Sequence, residues 1–315
     1  MNEAISRAKE YSEAKLIEIR SALEKIVSND QIVPTCGSLA RREASQESDV
    51  DYFIISRSQR SSDESPTPDL YEAVKKAIGD IMGRPPAEDG SFMKVVHRDE
   101  LLKNIGGEGD TNQNISRRIL FLLEGEWLFN KRGIEEIRRA ILERYIADGM
   151  TDHQLALFLL NDIIRFYRTM AVDYEFKTVE SENPKPWGIR NIKLVFSRKL
   201  LYASGLFSVA LTADRVREQK IVSLERLFNM PVIDRMAEIC GQTKIEGVLK
   251  SYDFFLEKLE NPEIRSCLNN PEVEMRNNPI FRELKNEGHH FTRQLLKLFE
   301  ETFDSTHPIR RAVVF

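Results

Sequence analysis

Two carboxylates stand at the mouth of an apolar run. Asp49 and Asp51 are two residues apart and lead into Tyr52 to Ile55. That run is aromatic and β-branched, the composition of a strand. Side chains alternate faces along a strand, so the two carboxylates point the same way. Held side by side they repel unless a cation lies between them. Hard divalent cations such as Mg²⁺ take oxygen ligands and keep waters and substrate phosphates. Upstream, Gly37-Ser38 suits a phosphate. Glycine lets a backbone approach closely, amides at a following helix N-terminus face an anion, and Ser38 adds a hydroxyl donor. Each feature alone is ordinary, a polar strand edge or a common turn. Together, between two apolar runs, they read as a phosphate-binding turn followed by a metal-binding carboxylate pair.

The elements that must position these groups follow from patterning. Ile32 and Val33 begin a short buried strand before the turn, and residues 50–56 form the second strand. Residues 3–28 carry apolar residues at helical spacing with charges on the other face, which predicts an amphipathic helix. Serines, charges and prolines across 57–68 predict a mobile loop. Asp69 to Gly83 predicts a helix capped by Asp69. Ser91 to His97 predicts another strand. Gly106-Gly107-Glu108-Gly109 leads to Asp110, with no lysine, so a flexible connection is expected there. Ile115 to Phe129 predicts one strongly apolar helix packed under the sheet.

From Ile134 every strong period is helical: 134–147, 152–176, 189–211, 216–240, 245–259 and 279–303. A helical bundle is expected, with an apolar face at Leu155, Phe158, Leu159, Ile163 and Phe166. Polar residues inside these helices include Asn161, Asp162, Arg165, Arg168, Arg190, Asn191 and Lys193. His289 and His290 are adjacent on a helix, about 100° apart, and chelate one ion poorly. The tail from Thr306 could dock on the body or on a second copy, which would make a homodimer.

Gly37-Ser-Leu-Ala-Arg-Arg-Glu43 followed by Ser48-Asp-Val-Asp51 resembles the signature of the DNA polymerase β-like nucleotidyltransferases. The resemblance is to the branch of the DUF294-type nucleotidyltransferases, the PII uridylyltransferases and the glutamine synthetase adenylyltransferases. Asp110 to Asn130, with its Arg-Arg-Ile-Leu-Phe-Leu-Leu-Glu-Gly core, is similar to the helix after the catalytic sheet in that branch. Trp187-Gly-Ile-Arg-Asn-Ile-Lys193 is similar to a segment of its helical domain. The resemblance implies transfer of AMP or UMP from an NTP, with ATP the expected donor, to an acceptor hydroxyl, favouring one on a protein. It implies Mg²⁺ or Mn²⁺ on Asp49 and Asp51. Gly37 and Ser38 would seat phosphates, Arg41 would neutralise developing charge, and Glu43 would position Arg41 or the turn. Two-metal chemistry wants a third carboxylate. Asp89 ranks first for it, Asp110 second, and Asp99 also lies near. Arg190 and Lys193, one helical turn apart, would present cations to a triphosphate or acceptor.

Composition bounds the alternatives. The 315 residues allow one large or two ordinary domains, and an apolar content of 41% suffices for a core. A net charge of −4 gives no global field for a long nucleic acid. No run of about 18 apolar residues appears, so a cytoplasmic protein without a membrane span is expected. Cys36, Cys240 and Cys267 are far apart and read as buried free thiols. The expected class is α+β. An N-terminal helix (1–29) precedes a small mixed-sheet nucleotidyltransferase domain (30–130), an α-helical substrate-binding bundle (131–305) and a tail (306–315). A small-molecule transferase, a cyclic-oligonucleotide synthase and a nucleotide-binding regulator of weak activity remain as alternatives.

Overall fold

The computed structural model describes residues 2–56, 68–86, 95–103, 105–150, 154–176, 178, 186–271 and 274–314. In chain order the first elements are α1 (Glu3–Leu23), β1 (Gln31–Cys36), α2 (Gly37–Ala40), β2 (Asp51–Tyr52), β3 (Ile54–Ser56) and α3 (Pro68–Met82). There follow β4 (Val95–His97), α4 (Arg98–Leu102), α5 (Asn112–Glu124), β5 (Glu126–Phe129) and α6 (Lys131–Tyr145). Beyond these come α7 (Leu157–Glu175), α8 (Trp187–Lys193), a π-helical turn (Leu194–Arg198), α9 (Lys199–Ala210), α10 (Arg217–Phe228) and α11 (Val232–Cys240). The last are α12 (Gln242–Glu260), α13 (Pro262–Asn269), α14 (Pro279–Thr302) and α15 (Ile309–Ala312). The chain is therefore mostly helical with one small mixed sheet, an α+β composition. Among the described residues no helix is long and apolar enough to cross a membrane.

The chain forms two compact units. One holds the sheet and comprises 8–151 and 216–231; the other comprises 1–7, 152–215 and 232–315. The sheet-bearing unit thus takes in α6 and α10, beyond the boundary expected near residue 130. Strand β1 is its centre. It pairs antiparallel with β2 and β3 on one side and with β5 on the other, while β4 runs parallel to β3. The single strand expected over 50–56 is two short strands in one continuous register: Cys36 faces Asp51 and Ile32 faces Ile55. The gap falls at Phe53, whose N–H donates to the Pro34 carbonyl at 3.3 Å. Pro34 has no N–H to return that bond, so the ladder breaks there.

Strand alternation distributes the core. Val33, Tyr52 and Ile54 pack with Leu16, Ile19 and Leu23 of α1 and with Val74 and Ile78 of α3. Ile32, Phe53 and Ile55 turn to the other face, where Phe53 meets Phe121 of α5 edge-on at 6.3 Å.

One expected helix is corrected. Residues 115–129 do not form a continuous helix: α5 stops at Glu124, and Glu126 to Phe129 become β5 against β1. Gly125 makes the break. A Cβ there would lie 2.4 Å from the Phe121 carbonyl oxygen, and the Gly125 N–H donates to that same oxygen at 3.1 Å. The glycine-rich loop is also tied back, because Asp110 accepts from the Gly106 N–H at 2.9 Å.

In the helical unit the apolar stripe of α7 runs through Leu159, Ile163 and Phe166, with Leu155 buried just before it. Phe158 is exposed, a departure from expectation. It shares the opposite stripe with Asn161, Arg165 and Arg168, whereas Asp162 is buried. Phe196, Phe255 and Phe291 stack in the middle of the unit. Pro231 separates α10 from α11. The tail docks on this unit through Ile309, which is fully buried, while Arg310 donates to the Phe303 carbonyl at 2.7 Å. None of the three cysteines forms a disulfide; Cys36 and Cys240 are buried, but Cys267 is only half-buried.

The Gly125 break yields a stability prediction. Gly125→Ala should lower the unfolding free energy by about 1–3 kcal/mol, read as a reduced urea midpoint at unchanged slope. An unchanged midpoint would refute the steric account of the α5–β5 junction.

Candidate active site

The end of β1 and the start of β2 bring the motif together. Gly37 follows β1 with φ +76°, a conformation that favours glycine. Its missing side chain is filled by Asp51: a Cβ on Gly37 would lie 2.4 Å from Asp51 Oδ2. Cys36 and Asp51 are register partners, so β1–β2 pairing itself sets this apposition. Asp49 precedes β2 in a turn, held where the Ser48 N–H donates to the Ser45 carbonyl at 3.0 Å and the Ser48 hydroxyl accepts from the Ser45 N–H at 3.0 Å. Exposure alternates here: Asp49 exposed, Val50 buried, Asp51 half-buried, Tyr52 buried. Both carboxylates thus lie opposite Val50 and Tyr52, at the end of the face that Phe53 occupies.

The turn is locked from beneath by charge. Arg41 is buried and donates from Nε to Glu43 at 2.9 Å and from Nη1 to Glu124 at 2.5 Å. Glu124 reaches on to accept the Gly37 N–H at 2.9 Å. This corrects two expectations. The Gly37 amide faces a protein carboxylate instead of an incoming phosphate, and the Arg41 guanidinium is neutralised within the protein by two glutamates. Glu43 positions Arg41, as its place in the motif suggested. Ser38 is half-buried at the head of α2, and its carbonyl accepts the Glu43 N–H at 2.8 Å.

Arg42 turns the other way. With φ +63° it donates to Glu13 at 2.7 Å and to Glu126 at 2.6 Å, and Glu126 is shared with Arg20 at 2.9 Å. Glu124 and Glu126 flank Gly125 and grip successive arginines of the motif. Neither glutamate was singled out from the sequence. The available signal was Glu-Gly-Glu at the end of an apolar run, a break that the helical period conceals.

Of the three candidates for a third carboxylate, the two that are described, Asp110 and Asp99, are engaged elsewhere. Asp89 lies outside the described residues. Asp110 is buried in an ion pair with Arg118 at 2.9 Å, and Arg118 also donates to the Tyr145 hydroxyl at 2.7 Å. Asp99 pairs on the surface with Lys103 at 2.6 Å, which holds its carboxyl below the usual range. Among the described residues no group of three His, Cys, Asp or Glu is arranged to hold a metal ion. Asp49 and Asp51 are the two carboxylates of the motif that could donate to a cation. Their oxygen chemistry and the cradle over Gly37 fit a hard cation whose remaining ligands come from water and phosphate.

Arg190 and Lys193 belong to the helical unit. Burial, with repulsion from Arg198, pushes the Arg190 guanidinium down, and its Nε has no hydrogen-bond partner. Lys199 and Lys285, not singled out from the sequence, are also pushed down, each mainly by burial. Lys285 donates to Asn191 at 2.9 Å and Lys199 to Thr292 at 2.7 Å.

No protein-family model matches the chain, and no curated protein matches it.

Breaking the buried lock should be costly. Glu124→Ala leaves Arg41 with one carboxylate and the Gly37 N–H without its acceptor, and should destabilise the fold by about 3–5 kcal/mol in urea unfolding. A loss below about 1 kcal/mol, the level of an exposed ion pair, would contradict the lock.

Proposed function

We propose that the sheet-bearing unit is a nucleotidyltransferase site. It would move NMP from an NTP, ATP foremost, to an acceptor hydroxyl, on a protein in the reading favoured by the resemblance. One observation carries the proposal: the Asp51 carboxylate lies against the Cβ-less face of Gly37. That contact supports reading the Gly37-Ser38 turn and the carboxylate pair as one site instead of two neighbouring features.

Asp49 and Asp51 would hold Mg²⁺ or Mn²⁺. The bound cation would supply Lewis-acid polarisation of the phosphoryl oxygens. Ser38 would donate its hydroxyl to a phosphate oxygen at the turn. Arg41, Glu43 and Glu124 act beneath, fixing the turn so that Ser38 and Asp51 stay in register. The acceptor oxygen attacks the α-phosphorus and loses its proton to solvent or a nearby base. The bond to the bridging oxygen breaks, and pyrophosphate leaves. Arg190, Lys193, Lys199 and Lys285 would serve recognition of an anionic partner by the helical unit.

A second reading has its own support. A pair of carboxylates without a third among the described residues suits a regulator that binds metal–nucleotide and turns it over weakly.

Incubation with each α-³²P-labelled NTP and Mg²⁺ or Mn²⁺, with and without lysate of the source cell, separates the two. Wild type should move label to an acceptor, and Asp49→Ala/Asp51→Ala should reduce transfer at least about a hundredfold. Metal-dependent nucleotide binding without label transfer would replace the enzyme reading with the regulator.

A further inference from the structure

A cationic cleft lies on the other side of the α5–β5 junction. A cleft of about 260 Å³ opens there, and four cations line it: Arg20, Arg42, Lys131 and Arg138. Two lining carboxylates oppose them. Glu126 is already shared between Arg20 and Arg42, and Glu135 stands 3.8 Å from Lys131. Glu13 adds a third from outside the lining, on Arg42.

Arg138 is the informative member. It is 2% exposed, and no ion pair to a carboxylate holds it among the described residues. Its guanidinium donates to the Gly125 carbonyl at 2.5 Å and to the Asn229 side-chain oxygen, and lies 5.8 Å over the Phe121 ring. Its Nε has no hydrogen-bond partner. Burial lowers its pKa to about 10, so at neutral pH the charge persists. Glu126, Glu135 and Glu225 lie near enough to favour its charge, but none is ion-paired to it among the described residues, and a buried guanidinium with an unused donor is costly.

We propose that this cleft binds a small phosphate-bearing ligand, with Arg138 at its floor and Lys131 at its rim. Guanidinium forks match phosphate oxygens geometrically, and the ligand would supply the direct partner that the Arg138 Nε lacks among the described residues. The volume falls below the range of about 300–1,000 Å³ typical of sites for drug-sized molecules. Inorganic phosphate or a small phosphate monoester fits that size better than a whole nucleotide. Trp127 lines the cleft, but the Arg20 guanidinium already covers its ring at 3.7 Å, which disfavours stacking of a base there.

The test is calorimetric titration of the full chain with inorganic phosphate, glycerol phosphate and citrate, in EDTA at low ionic strength. EDTA withholds the cation that the proposed transfer site requires, so the result is independent of whether the protein transfers nucleotides. Wild type should bind phosphate or its monoester at one site. Lys131→Glu, at an exposed position, should weaken binding at least about tenfold. Arg138→Gln should abolish it, with a circular-dichroism melt confirming the fold. If Arg138→Gln does not fold, Lys131→Glu decides alone. Absence of saturable phosphate binding, binding unchanged by Lys131→Glu, or binding of citrate in preference to both phosphates would each overturn the proposal.

Discussion

The buried contact of Arg41 with Glu43 and Glu124 is the constraint on which the rest of the sheet-bearing unit depends. Three charged side chains, each less than 10% exposed, are taken out of water together. Such a group is tolerable only when its bonds are made, and here they are: two carboxylates for one guanidinium, and the Gly37 N–H on the carboxylate that reaches furthest. The network ties the β1–α2 turn to the C-terminus of α5, two segments more than eighty residues apart in sequence. With the turn fixed, β1–β2 register brings Asp51 over Gly37, and the exposed carboxylate side follows.

The same junction organises its opposite flank. Because Gly125 ends α5 and starts β5, Glu124 and Glu126 project to different partners, and the adjacent Arg41 and Arg42 are drawn apart to meet them. Arg42 accepts a left-handed backbone in doing so. That local cost, of order 1 kcal/mol or more, is offset by two short ion pairs. The Gly125 carbonyl then accepts from Arg138. One glycine thus serves the β1–α2 turn on one side and a cationic cleft on the other.

Legibility in the sequence divides along physical lines. Features set by local chemistry were readable: the strand before Gly37, the strand after Asp51 and the run of helices from Ile134 onward. Features set by distant partners were not. Residues 115–129 read as one apolar period across Glu124-Gly125-Glu126; Gly125 ends the helix, and pairing of β5 with β1 makes the last four a strand. Arg41 has the residue type of a phosphate ligand, and nothing near it in sequence reveals that Glu124 will neutralise it. Asp110 looked available to a metal because its partner, Arg118, lies on the next helix among apolar neighbours. Phe158 was misplaced because it stands about 100° from Leu159 around α7, on the exposed stripe of Asn161 and Arg165.

The account's central claim is that the space left by Gly37 lets Asp51 and the phosphate turn act as one metal–nucleotide site. Titration of Mn²⁺ followed by electron paramagnetic resonance, with a non-hydrolysable ATP analogue, tests it on wild type and Gly37→Ala. A Cβ at 2.4 Å from Asp51 Oδ2 must displace that carboxylate. The account predicts that wild type binds Mn²⁺–nucleotide and that Gly37→Ala, still folded by circular dichroism, binds at least about tenfold more weakly. Equal affinity in the two proteins, or no Mn²⁺–nucleotide binding by wild type, would contradict it.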